Sequence, residues 1–423
     1  MSATNQCIIE EFLIHSDRRK EGEKPFDLTP FIAAVDYYED LFSPCITLKV
    51  LVINEAQVVT EDEEDTESTD DKLKALYQGL PIRGGEICRI KIGANVDTNI
   101  PLDFSEKPQD YLYVTGISNI VRDAKREMFT INLTSREAIV NETVRCYKKY
   151  SPDQNIGASV ENILTDTLGV EKDRFEVEVA ANSYGFIGNL KKPFPTIVWL
   201  AKKSVSVSTG GGSAGFLFYQ TKTGYKFKSV DTLMRQETYR VTDESGEKLK
   251  APPFYYGEAT QGFDSEDRPV NADFKILKFS IQQNNDIVKN LKLGTYSSTG
   301  MYFNPYNFEF ETLQYKRKDE IKKDNMSLMG SEDPTRYPLK LDPDTKTGSD
   351  DTIEDTATRS LTGVLDIGVL ARKDTNHLKK SNPLKFQMQS VTRYNTLFTN
   401  VLDITIPLNS NLEAGMCIEC EFP

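Results

Sequence analysis

Two distant stretches of this 423-residue chain carry one pattern, and a chain that writes a module twice is constrained to build two similar units. Setting Tyr38 to Val50 beside Tyr394 to Ile406 pairs Tyr38 with Tyr394, Leu41-Phe42 with Leu397-Phe398 and Ser43 with Thr399. It also pairs Ile46 with Leu402, Leu48 with Ile404 and Val50 with Ile406, an apolar alternation that reads as a half-buried strand. Farther along, Gly85-Glu86-Ile87-Cys88-Arg89-Ile90 has a counterpart in Gly415-Met416-Cys417-Ile418-Glu419-Cys420. Alternation alone is common to any two amphipathic strands. The shared Tyr-x-x-Leu-Phe-hydroxyl lead-in, kept in the same order as the Gly-led strand, favours duplication.

The fold class expected is mainly β with α+β insertions: two related β-barrel domains plus a smaller α+β domain. Strands are predicted over 46–54, 86–92, 111–120 and 127–133, so residues 1–140 read as the first barrel. Within it, 55–71 hold nine Asp or Glu and no Lys or Arg, a solvated acidic loop. Residues 141–250 form the α+β domain. Its clearest helix has Ser151 as N-cap, an apolar stripe through Ile156, Val160, Ile163, Leu164 and Leu168, and a stop at Gly169. A second helix is predicted over 196–203 from Pro195, and Phe216 to Phe227 reads as a hairpin turning at Thr221-Lys222-Thr223-Gly224. Residues 251–317 start the second barrel, with a strand over 274–281 and a helix over 285–293 closed by Gly294. The polar, acidic and proline-broken stretch 318–358 reads as an extended or mobile loop within an insertion, 318–382. Order returns near Pro383, and 383–423 complete the second barrel.

The formal charge of −13 repels a phosphate backbone, which argues against tight nucleic-acid binding. No run of eighteen apolar residues exists and the first ten residues lack a signal layout, so neither membrane insertion nor export by a cleaved signal is expected. The six cysteines are scattered through strand-like patterns, as reduced, buried thiols are. His15 and His377 are the only histidines, both read as exposed, and neither has a neighbouring triad or metal pattern. Cys417 and Cys420 form a lone Cys-x-x-Cys whose side chains diverge in a strand. Gly210-Gly211-Gly212-Ser213 lacks the Lys-Ser or Lys-Thr ending of a phosphate loop. Glu39-Asp40 could serve a glycosidase only if the carboxylates converged, and neighbouring strand residues diverge. The acidic stretch 61–71 lacks the spacing of a calcium hand. Of the aromatics Tyr37, Tyr38, Phe42, Phe216, Phe218, Tyr219, Tyr225 and Phe227, most are expected in cores. Catalytic, cofactor and metal residues are accordingly expected to be absent.

Three runs, in their order along the chain, carry a resemblance: Tyr37-Tyr38-Glu39-Asp40-Leu41-Phe42-Ser43-Pro44; the hairpin 218–227 with Ser229-Val230-Asp231-Thr232-Leu233; and Ile406-Pro407-Leu408-Asn409 leading to Gly415. The chain resembles the trimeric baseplate hub protein of T-even-type contractile-tail phages, including the hubs of cyanophage-like viruses. The resemblance implies a structural, non-enzymatic protein of the virion, assembled in the bacterial host cytoplasm. Three copies with two barrels each would form a pseudo-sixfold ring that joins a sixfold tail tube to a trimeric puncturing spike and lets DNA pass. Partners implied are the homotrimer itself, the spike, tube or tube-initiator proteins, the tape measure protein and the baseplate wedge. Tyr38, Leu41, Phe42, Tyr394, Leu397, Phe398, Gly85 and Gly415 are the expected structural or interface residues. The acidic stretches 55–71 and 342–355 depart from the family pattern and are expected to cover the outer surface or a neighbour. Two other readings stay open: a baseplate-borne peptidoglycan hydrolase, and the hub part of a type VI secretion spike. The first copy continues through 111–133 while the second stops at Pro423, so either the natural protein is longer or another chain completes the second barrel.

Overall fold

The computed structural model describes residues 8–16, 24–54, 82–93, 100–123, 126–207, 212–242, 248–251, 253–257, 274–284, 286–305, 308–322, 326, 352–364 and 383–422. The acidic stretch 55–71, all of 342–355 before Thr352, His377 and Gly210-Gly211 lie outside the described residues.

The first module is one antiparallel sheet of β1 (Ile9–His15), β2 (Phe26–Asp27), β3 (Ile32–Tyr38), β4 (Thr47–Asn54), β5 (Ile87–Ile92), β6 (Leu102–Asp103), β7 (Leu112–Arg122) and β8 (Glu127–Ser135). Its strand order is β2-β1-β5-β7-β8-β4-β3, with β6 beside β5. Alternation sends Leu48, Val50 and Val52 of β4 inward, where they meet Phe12, Ile90, Val114, Phe129 and Ile131 in one core. The two margins, β2 and β3, are separated in sequence only by Leu28–Phe31, which includes one 3-10 turn. That turn is fixed by Phe12 N–H donating to Thr29 Oγ1 at 2.8 Å and Leu28 N–H donating to the Phe12 carbonyl at 3.0 Å. The sheet is therefore rolled, with its margins brought together by a covalent link. No β2–β3 ladder forms, and no described sheet closes into a barrel.

The middle unit follows with α1 (Arg136–Thr143), β9 (Lys149–Tyr150), α2 (Ile156–Asn162), a π-helical turn (Ile163–Leu168), β10 (Phe175–Val177), β11 (Phe186–Ile187), α3 (Pro193–Ala201), β12 (Phe216–Thr221), β13 (Gly224–Ser229) and α4 (Val230–Arg235). The sequence places the apolar stripe and its stop correctly: Ile156, Val160, Ile163, Leu164 and Leu168 are buried, and Gly169 is left-handed at φ 70°. The cap is Asn155 and not Ser151, because its side chain accepts from Gly157 N–H at 2.8 Å. The next helix begins at Pro193, two residues before the expected Pro195, since Lys192 is extended and Pro193 takes the first helical position. β12 and β13 form the expected hairpin, and β10 adds parallel to β13. Phe216, Phe218, Tyr219, Tyr225 and Phe227 are buried as expected, whereas Tyr38 and Phe42 are half exposed.

The second module gathers β14 (Arg240–Thr242), β15 (Lys248–Lys250), β16 (Phe254–Tyr255), β17 (Lys278–Gln283), β21 (Asn400–Thr405) and β22 (Cys420–Glu421). Its core joins Phe254, Phe274 and Ile276 to Phe279, Ile404, Ile406, Ile418 and Phe422. The predicted strand over 274–281 starts at Lys278, because Phe274 and Ile276 enter that core from irregular backbone. Between β17 and β21 the chain inserts α5 (Ile287–Leu293), β18 (Ser297–Asn304), β19 (Glu309–Lys316), α6 (Arg317–Lys322), β20 (Arg359–Val364) and α7 (Pro383–Thr396). α5 has the expected glycine stop at Gly294, with Asp286 as its cap. The polar stretch 318–358, read as extended or mobile, contributes most of α6 and a turn at 352–355 held by Asp355, which accepts from Thr352 N–H at 3.0 Å. The described chain is thus mainly β in several open sheets. No described helix is long and apolar enough to cross a membrane.

Candidate functional site: the junction of the two repeats

The hairpin β12–β13 points its turn, Lys222-Thr223, between the two repeats. From the first repeat, Glu39 follows β3, and its carboxylate accepts from Tyr37 Oη and from Lys222 N–H, the latter at 2.7 Å. Its second oxygen accepts from Ala414 N–H of the second repeat, also at 2.7 Å. One side chain thus ties three parts of the chain together. The second repeat answers by contacting the same turn: Lys222 Nζ donates to the Ser410 carbonyl, and Thr223 Oγ1 donates to Glu413 Oε2 at 2.8 Å. A smaller tie joins the repeats directly, Ile100 N–H donating to Asn411 Oδ1 at 2.8 Å.

Burial dominates the electrostatics. It raises the Glu39 carboxyl above its ordinary 4.5, opposed by the donors from Tyr37, Ala414 and Lys222, with Glu413 adding a further upward push. Burial, then the charge of Glu39, pushes the Tyr37 hydroxyl far up, so it stays a donor. Burial also lowers the Lys222 ammonium, against Glu413 and Glu39. Asp40 turns away and accepts from Phe42 N–H at 2.9 Å, so the adjacent acids diverge and serve different turns.

The predicted site residues fall out unevenly. Leu41, Tyr394 and Leu397 pack in one cluster with Leu217, Tyr219 and Val230 of the middle unit. Phe42 and Phe398 touch each other, ring centroids 5.3 Å apart, while remaining 47% and 48% exposed. Gly85 and Gly415 both have positive φ, 91° and 92°. At Gly415 a Cβ would lie 2.5 Å from Tyr219 Oη, so glycine is required there on two counts. The pairing of Tyr38 with Tyr394 is the exception. Tyr38 ends a strand and lies under Lys49, 5.6 Å from its ring centroid, whereas Tyr394 sits on α7 and donates to the Phe216 carbonyl at 2.6 Å.

Two participants escape the sequence. Glu39 is one, because its partners are 183 and 375 residues away. The other is the buried ion pair of Arg393 on α7 with Asp231 on α4. Asp231 also accepts from Ser206 Oγ at 2.6 Å and Ser213 Oγ at 2.7 Å, and Arg393 Nε donates to Ser213 Oγ at 3.1 Å. Neither residue stands out in a chain this rich in charge. Of the weighed chemistry, Cys417 Sγ donates to the Leu233 carbonyl at 3.3 Å while Cys420 joins the second core, and no described group of His, Cys, Asp and Glu could hold a metal ion. His15, expected exposed, is part-buried at the end of β1, and burial, then Arg89, lowers its pKa.

No protein-family model matches the sequence, and no curated protein matches it. Among solved structures, the chain is similar to the 43 kDa tail protein of prophage MuSo2 from Shewanella oneidensis, at 10% identity over 94% of this chain and 82% of that one, TM-score 0.44. A tail protein from Neisseria meningitidis is similar at 8% identity over 89% and 74%, TM-score 0.38. An Escherichia coli component of the type VI secretion system is similar at 11% identity over 60% and 55%, TM-score 0.30. At these identities and scores the likeness is one of broad arrangement, and the functional reading rests on the chain's own residues.

Proposed function

We propose that the chain is a structural component of a contractile phage tail, the baseplate hub, built from two related barrel-like modules, 1–140 and the pieces 251–317 and 383–423. Three copies form a pseudo-sixfold ring that joins a sixfold tube to a trimeric spike and lets DNA pass. The reading extends to the tape measure and wedge proteins as neighbours and to assembly in the host cytoplasm.

The observation that carries it is the junction: of the counterpart residues, Phe42 touches Phe398, and Leu41 and Leu397 pack against one cluster that includes Leu217 and Tyr219 of the hairpin. A fixed angle between two similar modules is what a trimer needs to imitate a hexamer. The matching φ of Gly85 and Gly415 supports common descent of the modules. A purely structural role is supported by Glu39, whose carboxylate is taken up by three donors and is not free for acid–base work. The acidic balance suits a lumen through which DNA slides without sticking. Negative-stain imaging of the purified protein, with its mass in solution, tests the reading. Threefold rings with an open centre and six peripheral lobes are expected, and a monomer at every concentration overturns it.

A further inference from the structure

The repeat gives β21 a counterpart, β4, whose neighbours lie on both of its edges. β3 pairs with β4 on one side and β8 on the other. β21 pairs, among the described residues, with β17 alone. β17 stands where β3 does: Leu48 lies opposite Tyr37 in the first module, and its counterpart Ile404 lies opposite Phe279 in the second. The edge that β8 fills on β4 is therefore the open edge of β21.

Backbone geometry fixes which groups that edge presents. Asn284 N–H donates to the Thr399 carbonyl at 2.8 Å and Leu277 N–H to the Thr405 carbonyl at 2.7 Å. Bonding alternates along an antiparallel strand, so the odd-numbered residues of β21 face β17, and Asn400, Leu402 and Ile404 turn N–H and carbonyl to the open side. The side chains agree. Ile404 and Phe279 pack against the second core, and two residues along each strand the same face presents Leu402 and Ile281, directly opposite each other. These two are 39% and 60% exposed, whereas Ile46 and Leu48, the counterparts of Leu402 and Ile404, are 2% and 0% exposed. Beside β4, the cover comes from Leu133 and Ile131 of β8, opposite Leu48 and Val50. The uncovered stripe is continuous with the junction of the repeats, where Asn284 Nδ2 donates to the Phe398 carbonyl at 3.3 Å and Phe398 meets Phe42.

We propose that the open edge of β21 binds an extended segment of a different protein, added as an antiparallel strand in the place that β8 takes on β4. The inward residues of that segment are apolar, so that they cover Leu402 and Ile281. One outward residue is basic. The exposed Asp403 is the counterpart of Thr47, which lies opposite Thr134 of β8, so the residue in the place of Thr134 faces a carboxylate, and an opposite charge there strengthens the pairing. A second copy of this chain is the poorer fit. Its strands β4, β5, β7 and β8 already have a neighbour on each edge, and the margin strand β3 would bring its exposed Asp36 to the face that carries Asp403.

The probe is a synthetic peptide with the sequence of β8, residues 127–135, added to the full chain and followed by fluorescence anisotropy of a labelled copy and by amide hydrogen exchange. Saturable binding is expected, with slowed exchange at Leu402 and Ile404. A peptide carrying Thr134→Lys should bind about two- to fivefold tighter, and that gain should vanish with the Asp403→Asn protein. Leu402→Asp, a change at an exposed position, should abolish binding and leave the melting temperature nearly unchanged. Absent binding, binding that Leu402→Asp leaves intact, or protection confined to other strands overturns the proposal. So does slowed exchange at Leu402 and Ile404 that grows with protein concentration when no peptide is present, since a second copy then covers the edge. The docking needs no ring of copies, so failure to bind the peptide and failure to form rings are separate results.

Discussion

Glu39 is the residue on which the junction turns. Replacing it by alanine strands the Lys222 and Ala414 N–H groups, each part-buried, at about 1–3 kcal/mol apiece. Urea unfolding of Glu39→Ala is therefore expected to show a loss of about 2–6 kcal/mol, and Glu39→Gln a smaller one, since the amide oxygen still accepts. The pH dependence has a definite sign. An acid whose folded value is raised binds more protons folded than unfolded, so its contribution is complete below the ordinary 4.5 and is lost as pH rises through the raised value. Glu39→Gln should flatten that part of the stability profile above pH 4.5. The two equivalent glycines make a second comparison. A Cβ on Gly85 meets nothing within 4 Å, whereas one on Gly415 meets Tyr219 Oη at 2.5 Å. Both pay for positive φ, so Gly85→Ala should cost about 1 kcal/mol and Gly415→Ala clearly more, read from the shift in melting temperature. The sequence singled out both glycines through the repeat. It marked Glu39 only as an acid beside Asp40, because the long-range donors that bind it cannot be read from the sequence.

At the scale of the element, α7 is anchored by Arg393, whose guanidinium is buried against Asp231 and Ser213. Arg393→Met takes the guanidinium from the buried Asp231 carboxylate, which keeps its serine donors, and equilibrium unfolding should record a loss of about 3–5 kcal/mol. Elements with strong periodicity and clear punctuation were legible: β4, β5, β7, β8, the hairpin β12–β13, and α2 and α5 with their glycine stops. Those lacking such signals were not. α7 was foreseen only as a return of order near Pro383, since its residues Lys385, Gln387, Gln389 and Arg393 break an apolar stripe. β18 and β19 went unread because Ser297–Asn304 mixes hydroxyls, glycine and aromatics without alternation. The helix starts at Asn155 and Pro193 were displaced because several residues nearby could serve as caps, and only backbone geometry chooses among them.

At the scale of the whole molecule, duplication predicts two similar modules and says nothing about where they meet. They meet through their own counterpart residues, so the halves should be energetically coupled. A double-mutant cycle on Phe42→Ala and Phe398→Ala should return about 0.5–1.5 kcal/mol of coupling, and additive losses would mean the rings merely pass near each other. The two modules differ in shape. The first keeps a rolled sheet around a single core, whereas the second draws its strands from both sides of a long insertion. The chain order has a consequence for synthesis. Every strand of the first module lies before residue 136, so it can fold while the ribosome is still at work. Glu39 then waits for Lys222 and finally for Ala414, so the nascent protein carries its half-made clasp through the synthesis of 375 further residues.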